Sequence, residues 1–277
     1  MISKLLPKFT EKHRGYIKGV QGKDLGFGFD LRKVAQAEPL FSFLYEEWWH
    51  VQMSGLDRLP KEGPALIVGN TSGLVPWPAM MLMYALMNHK KYPRRLNIVA
   101  DIDWVQDEVI RAAALELGFV PWSSENVKTL LKAGELVAIF PEGVNAANKP
   151  FSERYRVRDF DWTRLLPAIE EGVHIYPLAT IGCEEAIPNI LTPENLKKLL
   201  GLPALPVTPF FPWFPFPLNL ASFPIQWYMS VCRHVPYKTT TDRDALEELS
   251  KRQTRFVQGE IQAELNRLLR GRVKSYI

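Results

Sequence analysis

The sequence predicts an α/β fold with a mixed, largely parallel central sheet flanked by helices. Three observations predict it. Short, mostly apolar runs at Ala65–Gly69, Asn97–Ala100, Leu136–Phe140 and His174–Ile181 read as strands buried in a sheet. Helical patterns lie between them, the alternation expected of α/β proteins. The chain has 277 residues, 47% of them apolar, which suits one α/β unit with a large core.

Taken in order, residues 1–38 read as a basic N-terminal arm and 39–277 as the domain. Lys4, Lys8, Lys12, Arg14 and Lys18 interleave with Leu5, Leu6, Phe9, Tyr16 and Ile17. Such a segment can lie on an anionic membrane surface or pack weakly on the domain as a solvated leader. Pro7, Gly15 and Gly19 weaken a long helix there. The Gly26–Phe29 run is a loop, and its glycine spacing is no nucleotide fingerprint. Phe41–Trp49 reads as a helix that covers the sheet or meets lipid. Val51–Leu56 is a strand.

Pro78–Met87 begins with proline, as a helix tolerates best. Its methionines are core filler or adapt to an acyl chain. Asp101 and Asp103 end the Asn97–Ala100 strand, where a cap and turn is the commoner meaning and a cation or acid–base pair the rarer one. Asp107–Leu117 is helical, stopped by Gly118. Ser123 or Ser124 caps a helix running to Ala133. Arg164–Glu171 and Leu191–Leu200 are further helices, and Phe223–Val231 is a late strand. Asp242–Arg270 is a long amphipathic helix, with Leu246, Leu249, Phe256, Ile261, Leu265 and Leu268 approximating one face. Residues 201–217 alternate proline with aromatics, which excludes an ordinary helix or central strand. That tract packs on the domain, lines a hydrophobic channel or meets a bilayer.

A net charge of +4 does not point to nucleic acid. Cys183 and Cys232 are too few for a disulfide framework and suit a reducing compartment. The N-terminus lacks the apolar core of a signal peptide, and no apolar run reaches about 18 residues. A cytoplasmic protein, peripheral on the inner face of a membrane, is the expectation.

The stretch Glu135–Gly143 carries the most chemistry. Its strand stops at Pro141 and Gly143, leaving Glu142 at the carboxyl end, where open α/β sheets bind ligands. Glu142 is either functional or part of the turn. Lys149, Arg154, Arg156 and Arg158 then cluster with Tyr155. Guanidinium groups grip phosphate, so this loop suits a phosphorylated acceptor or the phosphates of coenzyme A, against a solvated loop.

Phe140-Pro-Glu-Gly143 resembles a motif of the glycerolipid acyltransferases, the lysophosphatidic acid acyltransferase-like family. Residues 145–160, Pro177–Glu185 and Gly63–Asn70 resemble that family's neighbouring blocks, in family order, over about Trp48–Pro236. The resemblance implies a glycerol-phosphate acyltransferase-like fold and transfer of an acyl group from acyl-CoA or acyl carrier protein to a lysophospholipid or glycerolipid hydroxyl. It also implies a catalytic histidine after Asn70 and an aspartate shortly beyond. Here those positions hold Thr71 and Pro76 or Pro78, with Pro78 favoured by the Gly-x-x-Pro-Trp spacing. Threonine cannot accept a proton usefully near neutral pH, whereas imidazole can.

A non-catalytic homologue binding a lipid, an acyl chain or a protein partner is therefore the leading expectation. A divergent but active acyltransferase and a structural membrane-surface subunit are the alternatives. Substrate contact is expected from Asn70, Ser72, Gly73, Glu142, Gly143, Lys149, Tyr155 and Arg156. No metal and no resident cofactor are expected. Cys183 could carry an acyl group but reads more readily as buried filler.

Overall fold

A computed structural model describes residues 7–20, 25–73, 75–103, 105, 107–199, 204–210, 213–214, 222–237, 239–240 and 242–274. Seven strands form one sheet: β1 (Gln52–Ser54), β2 (Ala65–Gly69), β3 (Leu96–Ala100), β4 (Phe119–Pro121), β5 (Leu136–Ile139), β6 (Ile175–Ile181) and β7 (Tyr228–Val231). Their order is β1-β7-β6-β2-β5-β3-β4. The five from β6 to β4 are parallel neighbours, while β7 runs antiparallel to β6 and carries β1 alongside it in parallel. The predicted mixed, largely parallel sheet is borne out.

Strand alternation explains why β2, β5 and β6 read as continuous apolar runs. Ile67, Ala138 and Leu178 face one core layer, whereas Leu66, Val137 and Ala179 face the other. The first layer is closed by α1 (Pro7–Lys12), α2 (Arg14–Val20), α3 (Leu31–Ser42) and α4 (Trp77–Met87). The second includes residues of α6 (Ser124–Lys132), α7 (Leu166–Glu170) and α10 (Arg243–Lys274). The remaining helices are α5 (Glu108–Glu116), α8 (Cys183–Ala186) and α9 (Glu194–Leu199).

The arm is more than a loose leader. Phe9, Tyr16 and Val20 enter the first core layer, and buried His13 meets Glu38 on α3. The apolar face of α1 and α2 is thus spent on the domain's own core. Met81, Met83 and Met87 of α4 are buried filler. Five elements differ from expectation. The Phe41–Trp49 helix changes after Ser42 into wider π turns over Phe43–Trp48. Arg164–Glu171 splits into a 3₁₀ turn at Trp162–Arg164 and the short α7. The late strand starts at Tyr228 rather than Phe223, and Leu191–Leu200 shortens to α9. On α10, Phe256 is exposed while Gln253, Thr254 and Val257 are buried. Strand β4 was not anticipated. Of the 201–217 tract, only 204–210, 213 and 214 lie within the described residues.

Two glycines are dictated by close approach. A Cβ on Gly69 would sit 2.7 Å from the Phe140 ring. Gly182, at φ +98°, has the Gln226 carbonyl oxygen 2.6 Å from where a Cβ would be. Both lie where β2 and β6 deliver the chain to one edge of the sheet.

Candidate functional site

The parallel strands β2, β5 and β6 bring three turns together at their carboxyl ends, Asn70–Gly73, Phe140–Gly143 and Gly182–Glu185. Asn70 continues the β2–β6 ladder with its side chain. Its Oδ1 accepts from the Thr180 backbone N at 2.9 Å, and its Nδ2 donates to the Thr180 carbonyl at 3.0 Å. Both ends of the amide are engaged in the fold. The next residue, Thr71, is 5% exposed, and its hydroxyl has no hydrogen-bond partner. Ser72 hydrogen-bonds the Cys183 thiol. Gly73, at φ +70°, turns the chain toward α4. Pro78 is buried in the first turn of that helix, whose leading Trp77 meets Trp49 edge-on at 5.4 Å.

A narrow cleft opens here. Ser72, Gly73, Lys149, Glu184 and Asn189 line it, with Phe151 and Ile187 as apolar wall. Its volume, about 20 Å³, holds little more than one water. Lys149 and Glu184 face each other with Nζ 2.5 Å from Oε1, both buried. Lys149 also donates to the Arg156 carbonyl at 3.0 Å, and Glu184 Oε2 accepts from the Tyr155 backbone N at 2.5 Å. Burial pushes the Glu184 carboxyl up, and the Lys149 ammonium opposes that rise. Asn189 donates to the carbonyls of Ala147 and Lys149, both at 3.2 Å, and so ties the 187–192 segment to the 3₁₀ run Gly143–Asn148.

Glu142 is 2% exposed and sits behind the cleft, outside its lining. Its Oε1 accepts from the Arg158 backbone N at 2.9 Å, and its Oε2 has no partner. Burial pushes this carboxyl up to about 7, against the pull of Lys149 and the Arg158 N–H and with the repulsion of Glu184. Gly143 backs onto Asp101, 3.3 Å from where its Cβ would be. Asp101 caps no helix. It accepts from Arg164 Nη2 at 2.8 and 2.9 Å, and Asp107 is the cap of α5. Cys183 is buried, and its thiol is pushed up to about 12 by that burial. It is therefore protonated and inert at neutral pH.

Of the residues predicted to touch substrate, Ser72, Gly73 and Lys149 line the cleft. Asn70, Glu142 and Gly143 lie around and behind it. Tyr155 and Arg156 line a second cleft on the outer side of the same loop. The predicted basic cluster is partly neutralised, because Lys149 pairs with Glu184 and Arg158 with Glu153 at 3.2 Å. Glu184 and Asn189 were missed as site residues. The signal for Glu184 was its place just after Gly182, at the end of a buried strand. Among the described residues no group of acidic, histidine and cysteine side chains could hold a metal.

A model of the acyltransferase family matches residues 50–181, which include the cleft's Ser72 and Lys149. Uncharacterized protein Rv0502 of Mycobacterium tuberculosis is 34% identical over 253 residues, covering 89% of this chain and 69% of the relative. The chain belongs to the acyltransferase family. Uncharacterized protein ML2427 of Mycobacterium leprae is 32% identical over 252 residues, with 89% and 68% covered. The fold is similar to that of the 1-acyl-sn-glycerophosphate acyltransferase PlsC from Thermotoga maritima, with a TM-score of 0.53 at 15% identity over 97% of this chain and 98% of that one. The resemblance read from the Phe-Pro-Glu-Gly block is borne out for family and fold.

Proposed function

We propose that this acyltransferase-family chain is a non-catalytic homologue that binds an acyl chain or lipid in the Ser72–Lys149 cleft. One observation carries the reading. Thr71 and Pro78 hold the positions that the family resemblance gives to a histidine and an aspartate, both are buried, and neither side chain is a useful proton acceptor near neutral pH. Removing a positioned base costs about two to four orders of magnitude in rate. No group lining the cleft replaces it. None of the five histidines lines the cleft, Glu184 is engaged by Lys149, and the Cys183 thiol stays protonated. Acyl-CoA or acyl carrier protein would present the acyl group, and entry of the chain needs the narrow floor to widen. A protein partner is the other ligand class this reading admits.

A position at the cytoplasmic face of a membrane fits the exposed apolar side chains. Leu40, Phe43, Trp213 and Phe214 are all exposed, Trp213 by 68%. Phe43 meets Trp48, whose indole donates to the Ser222 carbonyl, and the adjacent Phe223 meets Phe210, whose carbonyl accepts from the Phe214 N. A second reading, an active enzyme with an atypical base, is favoured by Glu142, which has a free carboxylate oxygen and titrates near neutrality. Equilibrium binding of a fluorescent long-chain acyl-CoA, run with an assay of thiol release, separates the two. Saturable binding without release supports the first reading. Release that is lost in Glu142→Ala establishes the second.

A further inference from the structure

We infer that a pocket at the amino ends of β2, β3 and β5 binds a small apolar carboxylate about the size of a single ring. It does so independently of the Ser72–Lys149 cleft, which lies at the carboxyl ends of the sheet. Gly63, Arg94 and Gly134 sit in the segments that feed those three strands, and the strands start side by side, with Leu136 opposite both Ala65 and Leu96. Leu56, Leu59, Leu86 and Leu136 give the pocket its apolar lining, and Lys61 and Tyr92 stand among its polar groups. Its volume is about 180 Å³. An apolar cavity of about 150 Å³ holds a benzene ring. This one therefore takes a ring with a short substituent and is too small for a long acyl chain.

The charges around the pocket favour an anion. Arg94 donates Nη1 to the Pro60 carbonyl at 2.9 Å, and Nη2 to the carbonyls of Gly63 at 2.8 Å and Gly134 at 2.9 Å. These acceptors are neutral. Among the described residues no carboxylate pairs with Arg94, and Glu135 and Glu62 act on it only at a distance. The wall therefore keeps a positive charge. Lys61 adds a second, with Nζ 4.4 Å from the centre of the Tyr92 ring and no ion-pair partner among the described residues. The one carboxylate in the lining, Asp57, is already faced by His89, whose Nε2 lies 3.3 Å from Oδ1. His89 Nδ1 accepts from the Tyr92 N at 3.0 Å, so its proton sits on Nε2 and the ring is neutral. Two cations against one carboxylate leave a surplus that a ligand carboxylate balances, with its ring on the leucines. The Arg94 bonds also pin the three backbone segments that form the wall, so the pocket exists before a ligand arrives and little ordering cost falls on binding.

Calorimetric titration of the full chain with phenylacetate tests the site, with phenethylamine as the probe of similar size and opposite charge. Wild type should bind phenylacetate with a dissociation constant below about 1 mM, and more weakly as salt rises. Phenethylamine should bind at least tenfold more weakly. Lys61→Gln changes only an exposed side chain, so it should weaken phenylacetate binding about threefold or more with an unchanged melting temperature. Lys61→Glu reverses the charge and should weaken it at least tenfold. Phenylacetate should not displace a fluorescent acyl-CoA from the Ser72–Lys149 cleft. The inference is overturned if wild type fails to bind phenylacetate below that limit, if phenethylamine binds as tightly, or if Lys61→Glu binds phenylacetate like wild type. Displacement of the acyl-CoA would also overturn it, because it would put the carboxylate in the first cleft. The Lys61 comparison needs no acyl-CoA binding, so either proposal can fail alone.

Discussion

Thr71→Val removes one hydroxyl, adds a methyl of similar size, and so tests what that oxygen does. The Thr71 hydroxyl is buried beside Asn70 and has no partner, although both ends of the Asn70 amide are paired. Leaving a buried hydroxyl unsatisfied costs about 1–3 kcal/mol. Valine incurs no such cost and keeps the branched shape that packs at the end of β2. Allowing for imperfect fit of the second methyl, the variant should gain about 1–2 kcal/mol. For a chain of this size each kcal/mol moves the melting temperature by roughly 2 °C, so the midpoint should rise by about 2–4 °C. Thermal unfolding followed by circular dichroism, with a urea titration to check that the slope is unchanged, measures it. A loss of 1 kcal/mol or more would refute the reasoning, because it would mean that the hydroxyl is bonded and held for use.

The remaining predictions concern the buried charges. Lys149→Met leaves Glu184 uncompensated and should cost about 3–5 kcal/mol, whereas Lys149→Met with Glu184→Gln should recover most of that, read from urea midpoints. Glu142 supplies a pH signature. Its native carboxyl titrates near 7, above its unfolded value, so the folded state holds the proton longer. The stabilising effect is full below the unfolded value and is lost as pH rises from about 4.5 through 7. Glu142→Gln removes this dependence, so its stability advantage over wild type should grow between pH 5 and pH 8 to on the order of 2–3 kcal/mol. An advantage that stays flat across that range would contradict the raised value.

What could be read from the sequence follows from burial. β2, β5 and β6 are buried on both faces, so their apolar runs stand out in the text and fix the sheet's centre. Strand β4 has three residues between Gly118 and a terminal Pro121, so its turn chemistry outweighs its apolar pattern. On α10, serial spacing selected Phe256, but the helix buries the stripe through Ser250, Gln253, Thr254 and Val257, and of these Ser250 donates to the Trp162 carbonyl at 2.8 Å. At the site, Glu142 and the basic loop were legible because local turn chemistry marks them. Long-range pairings were not. Asn70 meets Thr180 across 110 positions, and Lys149 meets Glu184 across 35. Neither pattern has a local spacing. These pairings turn apparent ligand contacts into parts of the scaffold, and Arg154 too is drawn in, stacking on Phe151 and donating to its carbonyl at 3.3 Å.

The central claim is that the cleft binds without reacting because the base and its partner are missing. Thiol release from palmitoyl-CoA with a lysophosphatidate acceptor, comparing wild type with Thr71→His plus Pro78→Asp, tests it most directly. The account predicts wild-type release at the uncatalysed background and a rise of at least tenfold in the double variant. Repeated turnover by wild type, undiminished or lowered in the double variant, would contradict it.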